Sequence, residues 1–150
     1  MRGKCCVWED EISSSPLTFY FDRNFGKRFP EAIRMARASH FTVEFHHDPK
    51  NKFKFKQDVA DDVWLPKVAA EGWIIFSHDR KFHTLLPERS AIKQYSAGCF
   101  YLPGAQQSTW DKTRYFARWF DGIETRALNT KKPFIFDLTT NGVFKPISLA

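Results

Sequence analysis

Leu17-Thr18-Phe19-Tyr20-Phe21-Asp22 and Trp73-Ile74-Ile75-Phe76-Ser77-His78-Asp79 are two short apolar runs, each closed by an aspartate. Both are rich in β-branched and aromatic residues and are bounded by breakers, so they read as buried strands. In an open parallel α/β sheet, ligands sit beyond the carboxyl ends of the strands. Asp22 and Asp79 therefore fall where a single site would collect them. Asp62, with Asp61 beside it, opens the helix expected between the two runs. Carboxylates gathered in this way repel one another unless a cation neutralises them. Hard oxygen donors suit Mg²⁺ or Mn²⁺.

On either side of these runs the pattern alternates between strand and helix. Gly26 and Pro30 bracket a helix start, and Phe29, Ile33 and Ala36 share one helical face. Residues 42–46 read as a second strand, and Asp48-Pro49-Lys50-Asn51 as a turn. Lys52-Phe53-Lys54-Phe55-Lys56 alternates with period two, as an edge strand or an extended loop would. The plain assignment puts its lysines in water and its phenylalanines on the body of the protein. The alternative has them hold phosphates and stack on the bases of a single strand. Val63 to Glu71 forms a helix stopped by Gly72, and Pro66 is tolerable there only in the first turn, which sets the start near Asp62.

A strand over 73–78 follows, then a helix over 87–96 with Ala91, Ile92 and Tyr95 inward, then a strand over 99–102 closed by Pro103-Gly104. The longest helix covers 109–128. Phe116, Trp119, Phe120, Ile123 and Ala127 line its inner side, and Arg114 and Arg118 face outward, to pair with Asp111 and Asp121 or, as the alternative, to contact RNA. Residues 134–138 and 143–147 flank the hairpin signal Asn141-Gly142. This order implies an α/β fold with a mostly parallel central sheet between helical layers.

The 150 residues suit one domain over 17–150, preceded by a loose lead-in over 1–16 that ends in Ser13-Ser14-Ser15-Pro16. Sixteen Phe and five Trp supply ample core. No apolar run approaches the roughly 18 residues of a membrane span, and the N-terminus lacks a secretory h-region, so a cytoplasmic protein is expected. Three cysteines, two of them the adjacent Cys5 and Cys6, make neither a disulfide framework nor a zinc motif. The net charge is +6. Basic residues crowd the segment from Arg23 to Lys56, where Arg23, Lys27, Lys52 and Lys54 are candidate phosphate contacts, with Lys81 near the later acid.

In order and placement, Phe19-Tyr20-Phe21-Asp22-Arg23-Asn24-Phe25-Gly26, Asp61-Asp62-Val63-Trp64-Leu65, Gly72 to Arg80 and Pro87 to Ile92 together resemble the PIN-like nucleases, specifically the VapC-type toxin branch. The resemblance implies a Rossmannoid three-layer sandwich and a metal-dependent endoribonuclease with Asp22, Asp62 and Asp79 as catalytic and metal-binding acids. Asp61 competes with Asp62 for its role. Relatives that carry another Asp two residues after the last acid have it where this chain has Lys81. Glu44, His46, Asp48 or Glu88 would then have to compensate. The branch also implies an RNA substrate, a small cognate antitoxin and homodimerisation.

Each acid alone has an ordinary explanation as a cap or turn residue. Their convergence at strand ends favours the joint one. A non-catalytic RNA- or protein-binding module of the same shape is the alternative. A receiver domain would want an acidic pair at the end of the first strand, and a haloacid-dehalogenase-type phosphatase an Asp where Asn24 stands.

Overall fold

The computed structural model describes residues 17–37 and 40–149. The expected lead-in over 1–16, with Cys5 and Cys6, lies outside them. The described chain forms strands β1 (Thr18–Phe21), β2 (Thr42–Phe45), β3 (Ile74–Ser77), β4 (Gly98–Tyr101), β5 (Phe134–Leu138) and β6 (Phe144–Pro146). Its helices are α1 (Arg28–Ala36), α2 (Asp61–Ala70), α3 (Leu86–Gln94) and α4 (Thr109–Asn129), with a 3₁₀ turn over Arg23–Phe25.

The six strands lie in the order β2-β1-β3-β4-β5-β6. All neighbours are parallel except β5 and β6, which close the sheet as an antiparallel hairpin. The expected mostly parallel α/β fold is therefore present.

Strand composition sets the layers. β3 and β4 are buried along their whole length, as strands covered on both faces must be. On one face Phe19, Phe21, Phe76 and Phe100 pack under Phe29 and Ile33 of α1 and Phe116, Phe120 and Ile123 of α4. On the other, Tyr20, Ile75, Cys99 and Ile135 pack under Trp64, Leu65 and Val68 of α2 and Ala91 and Ile92 of α3. Period-two alternation sends Phe19 and Phe21 to one layer and Tyr20 to the opposite one.

From β1 the chain steps outward to β2, then crosses back to β3 on the other side of β1. That reversal is the topological switch point, and the crevice it opens lies beyond the carboxyl ends of β1 and β3. The two ends are flush: Phe21 lies opposite Phe76, and the Asp22 amide donates to the Phe76 carbonyl at 3.3 Å.

Several local expectations need correction. Pro66 lies well inside α2 rather than in its first turn, so the carbonyl of Asp62, four residues back, lacks its in-helix donor. Of the two expectations for Lys52 to Lys56, the loop is the one present, since Lys54 takes φ 51°, which breaks an extended strand. Its lysines are exposed, while Phe53 and Phe55 lie partly buried against the α2–α3 layer. Ala36 is exposed, and so is Tyr95, which follows the end of α3. Trp119 lies at the side of α4 under the β5–β6 turn, where a Cβ on Gly142 would come within 2.3 Å of the indole. Among the described residues Arg114 pairs with Asp111 as expected, at 3.6 Å. Arg118 instead lies over the Trp119 ring, 4.9 Å from its centre. No helix of the described residues is long and apolar enough to cross a membrane.

Candidate active site

Asp22 leaves β1 and caps the 3₁₀ turn, its Oδ1 accepting from the Asn24 amide at 3.1 Å. Ser77, the last residue of β3, is wholly buried. Its Oγ accepts from the Asp79 amide at 3.0 Å, and its hydroxyl eases the burial of the Asp22 carboxyl. One serine thus lies beside both strand-end acids. Asp22 is only 5% exposed. Burial pushes its carboxyl up to about 7, and the charges of Asp61 and Asp79 push the same way against the Ser77 and Asn24 hydrogen bonds.

Asp61 enters from the start of α2, its Oδ1 accepting from the Trp64 indole at 2.9 Å. Trp64 is buried against Tyr20, so the core fixes that carboxylate. The next residue, Asp62, is exposed. Glu88, in the first turn of α3, is buried. Its carboxyl is raised by burial, then by Asp61 and Asp62, and drawn down by Lys81. Asp61 is the shared member: its charge acts on both Asp22 and Glu88.

Glu44, on β2, has other neighbours. Burial raises its carboxyl, with Arg34 and Asp48 acting on it. Asp48 is a turn residue, its Oδ2 on Arg34 at 3.0 Å and its Oδ1 accepting from the Lys50 amide at 2.9 Å. His46 is buried in the turn after β2, and His47 Nε2 meets the Arg23 carbonyl at 3.1 Å. Among the described residues, no three carboxylate, imidazole or thiol groups lie close enough together to hold one ion directly.

The expected phosphate-binding cations are divided: Arg23 and Lys54 line hollows by the loop before α2, whereas Lys52 sits at the C-terminal end of α2, away from Asp61. Arg23 Nη1 donates to the carbonyls of Gln57 and Val59, holding the loop before α2. Lys52 pairs with Glu71 at 2.7 Å. Lys54 lines a 270 Å³ pocket with His46, His47 and Gln57. A neighbouring 560 Å³ hollow is lined by Arg23, Asn24 and His47. Lys27 is exposed just before α1.

Two further groups escaped the sequence reading. Lys112 of α4 lies with Nζ 5.8 Å from the centre of the Phe25 ring. Burial lowers its ammonium, and the Asp22 carboxylate opposes that shift. The available signal was its spacing of four from Phe116, which puts it on the inward face of α4. His78 stacks on Phe25 with centroids 4.1 Å apart, and its Nδ1 meets the Leu102 carbonyl at 2.8 Å. Burial holds its imidazole down at about 4, with Lys112 and Arg80 adding to the effect. His78 is therefore neutral at pH 7.

The strand ends, switch-point crevice and acids all lie in the part of the chain that the family model of the PIN-like domain matches, residues 17–104. The chain belongs to the PIN-like domain family. PIN-like domains are generally nucleases and typically use divalent metals. Direct comparison finds no match among curated proteins or solved structures. The matched segment of this PIN-like domain stops short of α4, so Lys112 comes from outside it. The groups at its strand ends are carboxylates, whose hard oxygens suit a hard cation. A buried, mutually repelling carboxyl such as Asp22 gains most from one.

Proposed function

We propose that this PIN-like domain is a metal-dependent endoribonuclease acting as the toxin of a toxin–antitoxin pair. The observation that carries the reading is the Asp22 carboxyl, 5% exposed at the switch point between β1 and β3, with the charges of Asp61 and Asp79 acting on it. Asp22, Asp79 and one of the α2 acids hold Mg²⁺ or Mn²⁺, partly through water. Asp61 suits that place better than Asp62, because Trp64 fixes it and its charge reaches Asp22. Glu88 is the accessory acid in the stretch where Lys81 replaces a carboxylate.

When bound, the metal supplies a hydroxide at neutral pH and offsets charge on the phosphate. Ser77 keeps Asp22 and Asp79 in register, and Lys112 offsets phosphate charge from the α4 side. Arg23 secures the loop that walls the crevice, while Lys54 and Lys81 hold flanking phosphates. A cytoplasmic location accords with an RNA target. Val63, Leu85 and Leu86 are exposed at the starts of α2 and α3, next to the acids, and suit an antitoxin or a second copy of the chain.

The test is cleavage of a structured RNA pool with Mn²⁺, Mg²⁺ or EDTA, comparing wild type with Asp22→Asn and Asp79→Asn. Metal-dependent cutting lost in both variants is expected. Cutting retained by pure Asp79→Asn protein would count heavily against the assignment.

A second reading, a non-catalytic RNA- or protein-binding module, draws on the absence of three directly converging ligands among the described residues. Failure of the wild type to bind Mn²⁺ would favour it. A small overlapping reading frame with a DNA-binding signature would support the toxin role.

A further inference from the structure

An open groove of about 590 Å³ lies on the solvent side of α4, outside the acid crevice. Its lining includes Asp111, Arg114, Tyr115, Arg118, Trp119 and Thr140, and Trp110 stands beside it at the start of α4 rather than in its wall. Trp110, Arg114 and Arg118 follow one another at i, i+4 and i+8, so they form one ridge of the helix. Trp110 is 69% exposed, a large apolar surface with no role in the core. Arg114 has a side chain 67% exposed, and its only described ion pair is the 3.6 Å contact with Asp111. Arg118 is spread over the Trp119 ring, which the β5–β6 turn at Gly142 holds in place.

A chain of charged and polar residues links the groove to the acid centre. Arg80, next to Asp79, pairs with Asp137 of β5 at 2.9 Å. Tyr115, in the groove wall, feels the charges of both Arg80 and Asp137, and its hydroxyl donates to the Thr139 carbonyl of the hairpin turn.

We propose that this groove binds the single-stranded RNA that flanks the cleavage point, with Arg114 and Arg118 on successive phosphates and Trp110 stacked on a base. The proposal rests on the ribonuclease reading for its ligand. Guanidinium groups interleaved with aromatic faces are how sequence-tolerant single-strand sites are built. An exposed indole on the arginine ridge serves stacking, whereas a duplex offers no free base face.

The test reads binding in EDTA, so that cleavage plays no part. Fluorescein-labelled tetranucleotide and dodecanucleotide RNAs are titrated with the full chain by fluorescence anisotropy at several salt concentrations. Wild type should bind the dodecanucleotide much more tightly. Arg114→Ala/Arg118→Ala should weaken dodecanucleotide binding at least about tenfold and flatten the log–log salt slope by about 1.4, the loss of two single-strand phosphate contacts. Trp110→Ala should weaken it at least about fivefold with the slope unchanged. All three side chains are largely solvent-facing, and circular dichroism checks that the variants remain folded.

Wild-type affinity and slope in the double variant would overturn the proposal. Equal losses on an RNA duplex would do so too, since they would report diffuse charge. Poly-glutamate binding lost in the double variant, with RNA binding intact, would overturn it in favour of an acidic protein partner. Absence of cleavage would count against the nuclease reading alone, because the groove result is obtained without metal.

Discussion

At Asp22 a carboxyl is buried among other acids, and this leaves a thermodynamic signature. Unfolded, an aspartate loses its proton near about pH 4. In the fold this one does so near about 7. Between those values the native state binds more protons than the unfolded chain, so this group makes stability fall as pH rises. Above the higher value the penalty is complete, on the order of 4 kcal/mol before relaxation and water entry reduce it. Asp22→Asn removes the charge and keeps an oxygen for the Asn24 amide.

In chelator the variant should therefore melt above wild type near about pH 8, and the two should converge near about pH 4. A variant no more stable than wild type at the higher pH would contradict the burial of that charge. The placement of Asp22 and Asp79 just beyond the ends of β1 and β3 was legible in the sequence, because each closes an apolar run. The choice between Asp61 and Asp62 was not legible. Adjacent helical residues diverge by about 100°, and the hydrogen bond from buried Trp64 and the action of its charge on Asp22 set Asp61 apart from exposed Asp62. Lys112 and His78 were missed because their surroundings come from elements distant in sequence.

Helix α2 carries the acids and also a proline past its first turn. Pro66 cannot donate to the Asp62 carbonyl, which costs about 3 kcal/mol relative to alanine in an unconstrained helix. Pro66→Ala should raise the thermal midpoint and slow amide exchange in the first turn of α2. An unchanged midpoint would mean that packing already offsets the missing bond. At β4 the sign is reversed. A Cβ on Gly98 would meet the Phe134 ring at 2.5 Å, with Ile74 at 3.2 Å. Gly98→Ala should destabilise by about 1–3 kcal/mol in chemical denaturation, as overpacking does.

The strands could be read from apolar runs bounded by breakers and the long helix from its hydrophobic period. Lys52 to Lys56 shows the limit of that signal. Its period-two pattern separates water from core, but no strand forms. The buried Asn51 donates to the Phe45 carbonyl at 2.8 Å and accepts from the Phe53 amide at 2.9 Å, turning the chain away from β2.

For the molecule as a whole, the switch point between β1 and β3 makes the acid crevice a joint product of both helical layers. Asp61 and Glu88 come from the α2–α3 side, and Lys112 from the α1–α4 side. A cation bound there should stabilise the entire fold by mass action. Mn²⁺ or Mg²⁺ should raise the wild-type melting temperature at about pH 8 and have little effect on Asp22→Asn or Asp79→Asn. Equal shifts in all three proteins would place the metal elsewhere.

The chain's aromatic residues are unevenly divided. Phenylalanines fill the α1–α4 layer, whereas Trp64 and Trp73 belong to the α2–α3 layer and Trp110 and Trp119 to the outer side of α4. The indole of Trp64 donates directly to Asp61. Any change in that carboxylate's charge therefore alters the field on a buried chromophore. Intrinsic emission should shift as metal or protons enter the crevice, and Trp64→Phe should abolish the shift, so the protein carries an optical probe for its own acid site.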